Sequence, residues 1–200
     1  MRARKLFGKD RMHERVHGKG FLFSPLSFTQ VNPGIVPQLA QTMRDQLELK
    51  GNETLYDFYC GYGLFAVLFA PSVRLAMGVE WNVASVADAR KNAERNGVSN
   101  VRFVHAAIDA GSIAKVVERS QAHDTAILDP PRNGTAPGVI EVIAGRRLRR
   151  VAHLFCNIEL VPLELQRWEK SGYRLDSALP FDMFPGTDSV EVLALLSPAD

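Results

Sequence analysis

Two side chains stand out as able to do chemistry: Cys156, at the end of Val151-Ala-His-Leu-Phe-Cys156-Asn157, and Glu191, in Asp188-Ser-Val-Glu-Val-Leu-Ala-Leu-Leu196. A cysteine within a core strand is a small buried hydrophobe. At a strand's end beside a cleft it is a candidate thiolate nucleophile. A carboxylate at the mouth of an apolar strand is costly to bury unpaired, so Glu191 needs either a partner or a function. Partial burial would raise its pKa and make it a better base. Together the two side chains suit one reaction in particular. Carbon 5 of a uracil is a poor nucleophile until a thiolate adds to carbon 6 and turns the ring into an enolate, which can take an electrophilic methyl. A base must then remove the proton from carbon 5 so that the thiol can leave. One nucleophile and one base on opposite sides of a flat ring meet that demand.

The element that must organise these residues is Glu53–Ala70. Thr54, Leu55, Tyr56 and Phe58 read as a strand running into Asp57-Phe-Tyr-Cys-Gly-Tyr-Gly63, and an apolar helix starts at Leu64. A strand, a glycine turn and a helix put backbone N–H groups and a positive helix end at the C-terminal edge of a sheet. Gly61 and Gly63 lack a Cβ and can let a ligand approach closely. The third glycine of the dinucleotide fingerprint is absent, so a plain α/β turn stays open as a reading. Lys followed by Ser or Thr does not follow the glycines, which argues against a phosphate-binding P-loop. Glu80 lies about twenty residues past the turn, where an acid commonly accepts hydrogen bonds from a ribose diol. A helix-capping carboxylate is the alternative. Asp129 closes a later strand, and Pro130-Pro131 stiffen the loop beyond it into a plausible wall for a flat ligand, or into a simple tight turn. Asp109 fits either an adenine contact or a helix start, and no second histidine is placed to share a metal with His105.

The remaining pattern alternates strands and helices. After an apolar Phe21–Phe23, Asn32-Pro33 predicts a helix start, with Ile35, Val36, Leu39, Ala40, Met43 and Leu47 on its buried face. Strands are expected near 54–58, 73–79, 101–104, 125–128, 150–155, 173–179 and 190–196, with helices between the first six. Two consecutive strands at the end predict a seven-stranded, mostly parallel α/β sheet with one antiparallel strand and helices on both faces.

Two hundred residues suffice for one well-buried unit. No apolar run reaches the length of a membrane span, and the basic start does not resemble a signal peptide. Two cysteines are too few for a disulfide framework or a cysteine-only metal site, so no metal is expected. The cytoplasm is the expected compartment and a monomer the expected state. The net charge is +2, yet residues 1–20 alone carry four Arg and three Lys against one Asp and one Glu. This basic lead-in (residues 1–27) and a second cluster, Arg146, Arg147, Arg149 and Arg150, suit a polyanion such as nucleic acid, or plain solvation.

An ordered set of motifs resembles the RNA (uracil-5-)-methyltransferase family: Phe28-Thr-Gln-Val-Asn32, Asp57–Gly63, Gly78-Val-Glu80, Asn92-Ala-Glu-Arg-Asn-Gly97, Asp129-Pro-Pro-Arg132, Cys156-Asn157, and Asp182-Met-Phe-Pro-Gly-Thr187 with Val190-Glu191. The resemblance implies a class I, Rossmann-like methyltransferase fold over residues 28–200 that uses S-adenosylmethionine. Gln30, Tyr59, Gly61, Glu80 and Asp129 would contact the methyl donor, Cys156 would be the nucleophile, Glu191 the base, and Arg132 would shape the substrate side. Cys60 would be a packing residue. The implied partner is ribosomal or transfer RNA. Leu64, Ile158, Leu160 and Ser189 depart from the family's usual Asn, Pro, Thr and His. The family's usual N-terminal RNA-binding barrel has no counterpart before Gln30, so a partner chain or a missing RNA-binding domain is expected to complete recognition. A methyltransferase of exocyclic base amines and a non-catalytic binding domain are the alternative readings.

Overall fold

The computed structural model describes residues 11–25, 30, 32–187 and 189–199. Residues 1–10 of the basic lead-in, and Phe28, Thr29, Val31 and Asp188 of the motifs above, lie outside the described residues. A two-stranded hairpin, Met12–Val16 (β1) and Lys19–Phe23 (β2), precedes the helix Val36–Leu47 (α1). The central strand Thr54–Phe58 (β3) is buried at all five positions, as a strand covered on both faces should be. The helix Leu64–Phe69 (α2) follows it. Then come Leu75–Glu80 (β4), Val83–Arg95 (α3), Val101–His105 (β5), Ala110–Val116 (α4), Thr125–Leu128 (β6), Val139–Ala144 (α5), Arg150–Phe155 (β7), Val161–Lys170 (α6), Tyr173–Phe181 (β8) and Glu191–Pro198 (β9).

Seven strands form one sheet in the order β5-β4-β3-β6-β7-β9-β8. Pairing is parallel from β5 through β7, and β9 runs antiparallel between β7 and β8. The chain winds one way from β3 to β5 and the other way from β6, so a crevice opens where β3 and β6 end. Leu39, Met43, Phe65 and Val86 fill the core under α1, α2 and α3. Ile113, Ile140 and Trp168 fill the core on the opposite face, under α4, α5 and α6. Helix α1 begins three residues later than the Asn32-Pro33 signal predicts. Asn32 instead closes a turn, its carbonyl accepting from the Ile35 and Val36 N–H groups, and Pro37 takes an opening position of the helix.

Sequence reading missed β1. Its signal is the pair His17-Gly18, whose φ angles of 47° and 78° make a two-residue turn between alternating strands. Val16, Phe21 and Phe23 join the core, and side chains of α3 hold the hairpin in place. Asn96 pairs with both the N–H and the carbonyl of Gly20, at 3.0 and 2.9 Å. Asn92 does the same for Leu22, at 2.8 and 3.0 Å, and also donates to the Tyr62 carbonyl. Asp88 accepts from the Ser24 N–H and pairs with Arg11. Four helical residues rise about 6 Å and two strand residues about 6.6 Å, so positions 88, 92 and 96 can substitute for a neighbouring strand. This hairpin leads the chain toward Gln30.

The basic cluster at 146–150 has a structural occupation. Arg149 and Arg150 donate to the carbonyls of Gln46, Leu47 and Glu48 at the C-terminal end of α1, where cations are favoured. Arg150 also pairs with Glu48, Arg147 donates to the Ala199 carbonyl and Arg146 to that of Glu118. The cluster sits where β7 begins, at the opposite end of the strand from Cys156.

Candidate active site

All eight residues singled out above, Gln30, Tyr59, Gly61, Glu80, Asp129, Arg132, Cys156 and Glu191, line one cavity of about 950 Å³. It opens at the C-terminal ends of β3, β4, β6 and β7, at the topological crevice. Asp57, buried in β3, lies behind the glycine turn. Its carboxylate faces the start of α2 and accepts from the Ala66 N–H at 2.9 Å, a favourable place for an anion. Burial pushes the Asp57 carboxyl up to about 7, opposed by the Ala66 N–H and helped by nearby Glu80.

The glycine turn divides its work. Gly61 borders the cavity and donates its N–H to Glu80 at 3.1 Å. Gly63 does not border it: at φ +85° a Cβ there would lie 2.9 Å from the Phe103 ring and 3.0 Å from Ala89. Its small size therefore serves packing of the turn against α3 and β5, which corrects the expectation that both glycines admit a ligand. Glu80 also accepts from the Asn82 N–H at 2.8 Å, while Asn82, not Glu80, caps α3 through the Ala84 and Ser85 N–H groups. A carboxylate offers about four acceptor positions, so Glu80 retains capacity for hydroxyl donors. Tyr59 adopts φ +66°, and its phenol faces the Ala136 N–H.

Asp129 extends β6 and accepts from Gln30 Nε2 at 2.8 Å. Burial, then the charges of Glu191 and Asp57, push its carboxyl well up. Gln30 Oε1 and Glu191 Oε2 are buried with no hydrogen-bond partner among the described residues. Such orphaned acceptors in a cavity wall are ready to meet donors from a ligand.

Cys156 and Glu191 come together through the antiparallel ladder. The ladder of β7 on β9 ends with Phe155 opposite Val192, and Cys156 and Glu191 are the next residues beyond that pair. Both side chains line the cavity. Cys156 is partly exposed, and Glu191 is 2% exposed. The Cys156 thiol lies 3.6 Å from the Pro130 carbonyl, and Asn157 donates to the Arg132 carbonyl at 3.2 Å. Burial, then Asp129 and Glu191, raise the thiol to about 11, with Arg132 opposing. Burial raises the Glu191 carboxyl to about 7, again against Arg132. The Arg132 guanidinium sits 5.7 Å above the Phe184 ring, within cation–π range. Among the described lining residues Arg132 is the one cation facing three carboxylates, an environment that favours a positively charged ligand.

Other side chains resolve differently. Asp109 caps α4, accepting from the Ser112 N–H at 2.8 Å, and His105 bonds the Trp81 carbonyl. Cys60 is buried, its thiol pushed far up by burial. Sequence reading missed Trp81, Ile108 and Thr135 as cavity residues. Trp81 follows Glu80 directly, and Thr135 lies just beyond the double-proline motif, so position in the chain was the available signal.

Comparison with known proteins bears on this cavity. Residues 2–198 match the family model described as tRNA (Uracil-5-)-methyltransferase. An uncharacterised RNA methyltransferase of Caldanaerobacter subterraneus is 35% identical over 191 residues, covering 96% of this chain and 42% of the relative. One from Streptococcus mutans is 33% identical, covering 96% and 43%. The crystal structure of Pyrococcus abyssi tRNA (uracil-54, C5)-methyltransferase in complex with S-adenosyl-L-homocysteine superposes with a TM-score of 0.77 at 28% identity, covering 95% of this chain and 45% of that one. The chain thus spans less than half the length of these relatives.

Proposed function

Because the chain belongs to the tRNA (uracil-5-)-methyltransferase family, we propose that it transfers a methyl group from S-adenosylmethionine to carbon 5 of a uridine in transfer or ribosomal RNA. The observation that carries this reading is that Cys156 and Glu191, the residues just beyond the last β7–β9 pair, line the wall of one carboxylate-rich cavity. The donor would be held by Gln30, Tyr59, Gly61, Glu80 and Asp129. Glu80, with acceptor capacity to spare, suits a ribose diol, and the three carboxylates suit a cation. Bound there, S-adenosylmethionine supplies an electrophilic methyl on a positively charged sulfur.

Cys156, as the thiolate, adds to carbon 6 of the uracil. The ring's carbon 5–carbon 6 electron pair moves to the enolate, and carbon 5 takes the methyl. Glu191 then removes the proton from carbon 5. The electrons of that C–H bond restore the ring double bond, and the Cys156 sulfur leaves with its bonding pair. Arg132, stacked over Phe184, shapes the substrate side and opposes the rise of both the thiol and the carboxyl. A reaction at an exocyclic amine would leave Cys156 and Glu191 without work. RNA contacts beyond the flipped uridine would fall to a further segment or a partner chain, in keeping with the greater length of the relatives.

The direct test is incubation of the chain with total RNA and methyl-labelled donor, followed by nucleoside analysis. Label in 5-methyluridine supports the proposal; label confined to methylated adenosine, guanosine or cytidine overturns it.

A further inference from the structure

A network of buried polar groups behind the cavity has no part in the chemistry above, yet it grips the loop that carries Asp129, Arg132 and the Cys156 contact. Glu164 on α6 is 3% exposed. Its Oε1 accepts from both the N–H and the hydroxyl of Thr135, each at 2.7 Å. Thr135 in turn accepts from Arg167 at 3.1 Å, and Arg167 is held by Glu141 of α5 through two bonds, at 3.1 and 2.9 Å. Gly134 packs so closely beneath the carboxylate that a Cβ at its φ of +77° would lie 2.6 Å from Glu164 Oε1. This explains why the Asp129-Pro-Pro-Arg-Asn-Gly134 motif ends in glycine.

The other oxygen of Glu164 faces His153, and the chemistry of the partners fixes the arrangement. Trp168 Nε1 can only donate, and it lies 3.1 Å from His153 Nδ1. His153 must therefore accept at Nδ1. Burial lowers its pKa to about 3, so the ring is neutral and its single proton sits on Nε2. His153 Nε2 lies 3.3 Å from Glu164 Oε2, a packing contact without hydrogen-bond alignment. Trp168 thus donates to His153, His153 packs against Glu164, and Thr135 donates to Glu164 from the other side. His153 lies three residues before Cys156 on the same strand, and the loop touches the nucleophile directly through the Pro130 carbonyl.

We propose that Glu164 is a positioning residue: backed by the buried His153 ring, it locks Thr135, and thereby sets the Asp129–Pro137 loop against the donor cavity and the Cys156 sulfur. This rests on the cavity assignment above but not on the base that is methylated. Glutamine cannot replace Glu164, because its amide accepts at one end only and would set an N–H against either Thr135 or His153. Thr135→Ser keeps the hydroxyl and Thr135→Val removes it.

The test uses the full chain and two readouts that need no RNA: the Kd of S-adenosylhomocysteine by calorimetry, and the rate at which iodoacetamide labels Cys156, read by peptide mass spectrometry. Losing a hydrogen bond to a charged group should weaken binding roughly tenfold in Glu164→Gln and Thr135→Val. The loosened loop should also speed Cys156 labelling, while Thr135→Ser stays within about twofold of the native chain. Native affinity and native labelling in both disruptive variants would overturn the proposal, even if their melting temperatures fall. So would a Thr135→Ser chain as impaired as Thr135→Val. If Glu164→Gln does not fold, the Thr135 pair decides alone. A native chain that fails to methylate uridine would sink the proposed reaction and leave these readouts intact.

Discussion

Cys156 and Pro130 are joined across two strands: the thiol sits 3.6 Å from the proline carbonyl and donates its proton to the backbone. The proposed nucleophile therefore rests as a protonated thiol, raised to about 11 by burial and by the charges of Asp129 and Glu191. Filling the cavity with a cation offsets those two charges, so donor binding and thiol ionisation are coupled. Without donor, Cys156 labelling should climb steeply with pH and still be rising at pH 9. Asp129→Asn removes the larger of the two charges while preserving an acceptor for Gln30. It should shift the labelling curve to lower pH; an unchanged curve would show that Asp129 does not govern the thiol.

Glu191 makes a separate pH prediction. Its carboxyl, held at about 7 by burial, could serve as the proposed base only when ionised, so methyl transfer to completion should rise with pH through about 7. Glu191→Gln should still form the covalent intermediate but release it slowly, lowering turnover by at least roughly a hundredfold. Single-turnover assays across pH 5.5–8.5 check both points, and a Glu191→Gln chain with native turnover would make the residue merely structural.

Stability should vary with pH because of Asp57. Its folded pKa of about 7 exceeds the ordinary 3.8. Between those values the folded chain holds a proton that the unfolded chain has lost, so raising the pH favours unfolding. The stability is fully present below pH 4 as far as this group is concerned, and is lost as pH rises through about 7. Melting temperatures should decline from pH 5 to pH 8, and Asp57→Asn, which keeps the Ala66 contact, should flatten that decline.

The hairpin tests the helix-for-strand pairing. Asn92 is fully buried and serves both polar groups of Leu22 and the Tyr62 carbonyl. Asn92→Ala would strand those groups and should cost about 2–3 kcal/mol in denaturant unfolding. Asn96→Ala, nearer the solvent-exposed turn, should cost less.

Much of this architecture could be read from residue order. The apolar runs at 54–58, 125–128 and 150–155 coincide with strands, because buried parallel strands are continuous apolar stretches. Carboxylates and a cysteine terminating those runs could be assigned to one sheet edge by topology alone. What escaped were features created by distant contacts. Strand β1 is polar on its outer face and is held by pairing with β2, which α3 anchors in turn. The arginines of 146–150 look like a polyanion patch until the end of α1 packs beside them. Thr135 and Glu164, 29 residues apart, meet only when α6 folds behind the loop.

The pairing of one sulfur with one carboxylate is tested most directly by RNA carrying 5-fluorouridine, whose fluorine cannot leave as a proton does. With donor present, the native chain should accumulate a denaturation-resistant protein–RNA complex whose peptide map places the link at Cys156, and Cys156→Ala should give none. A complex of equal yield from Cys156→Ala, or a native chain that methylates uridine at carbon 5 without ever trapping this RNA, would contradict the account.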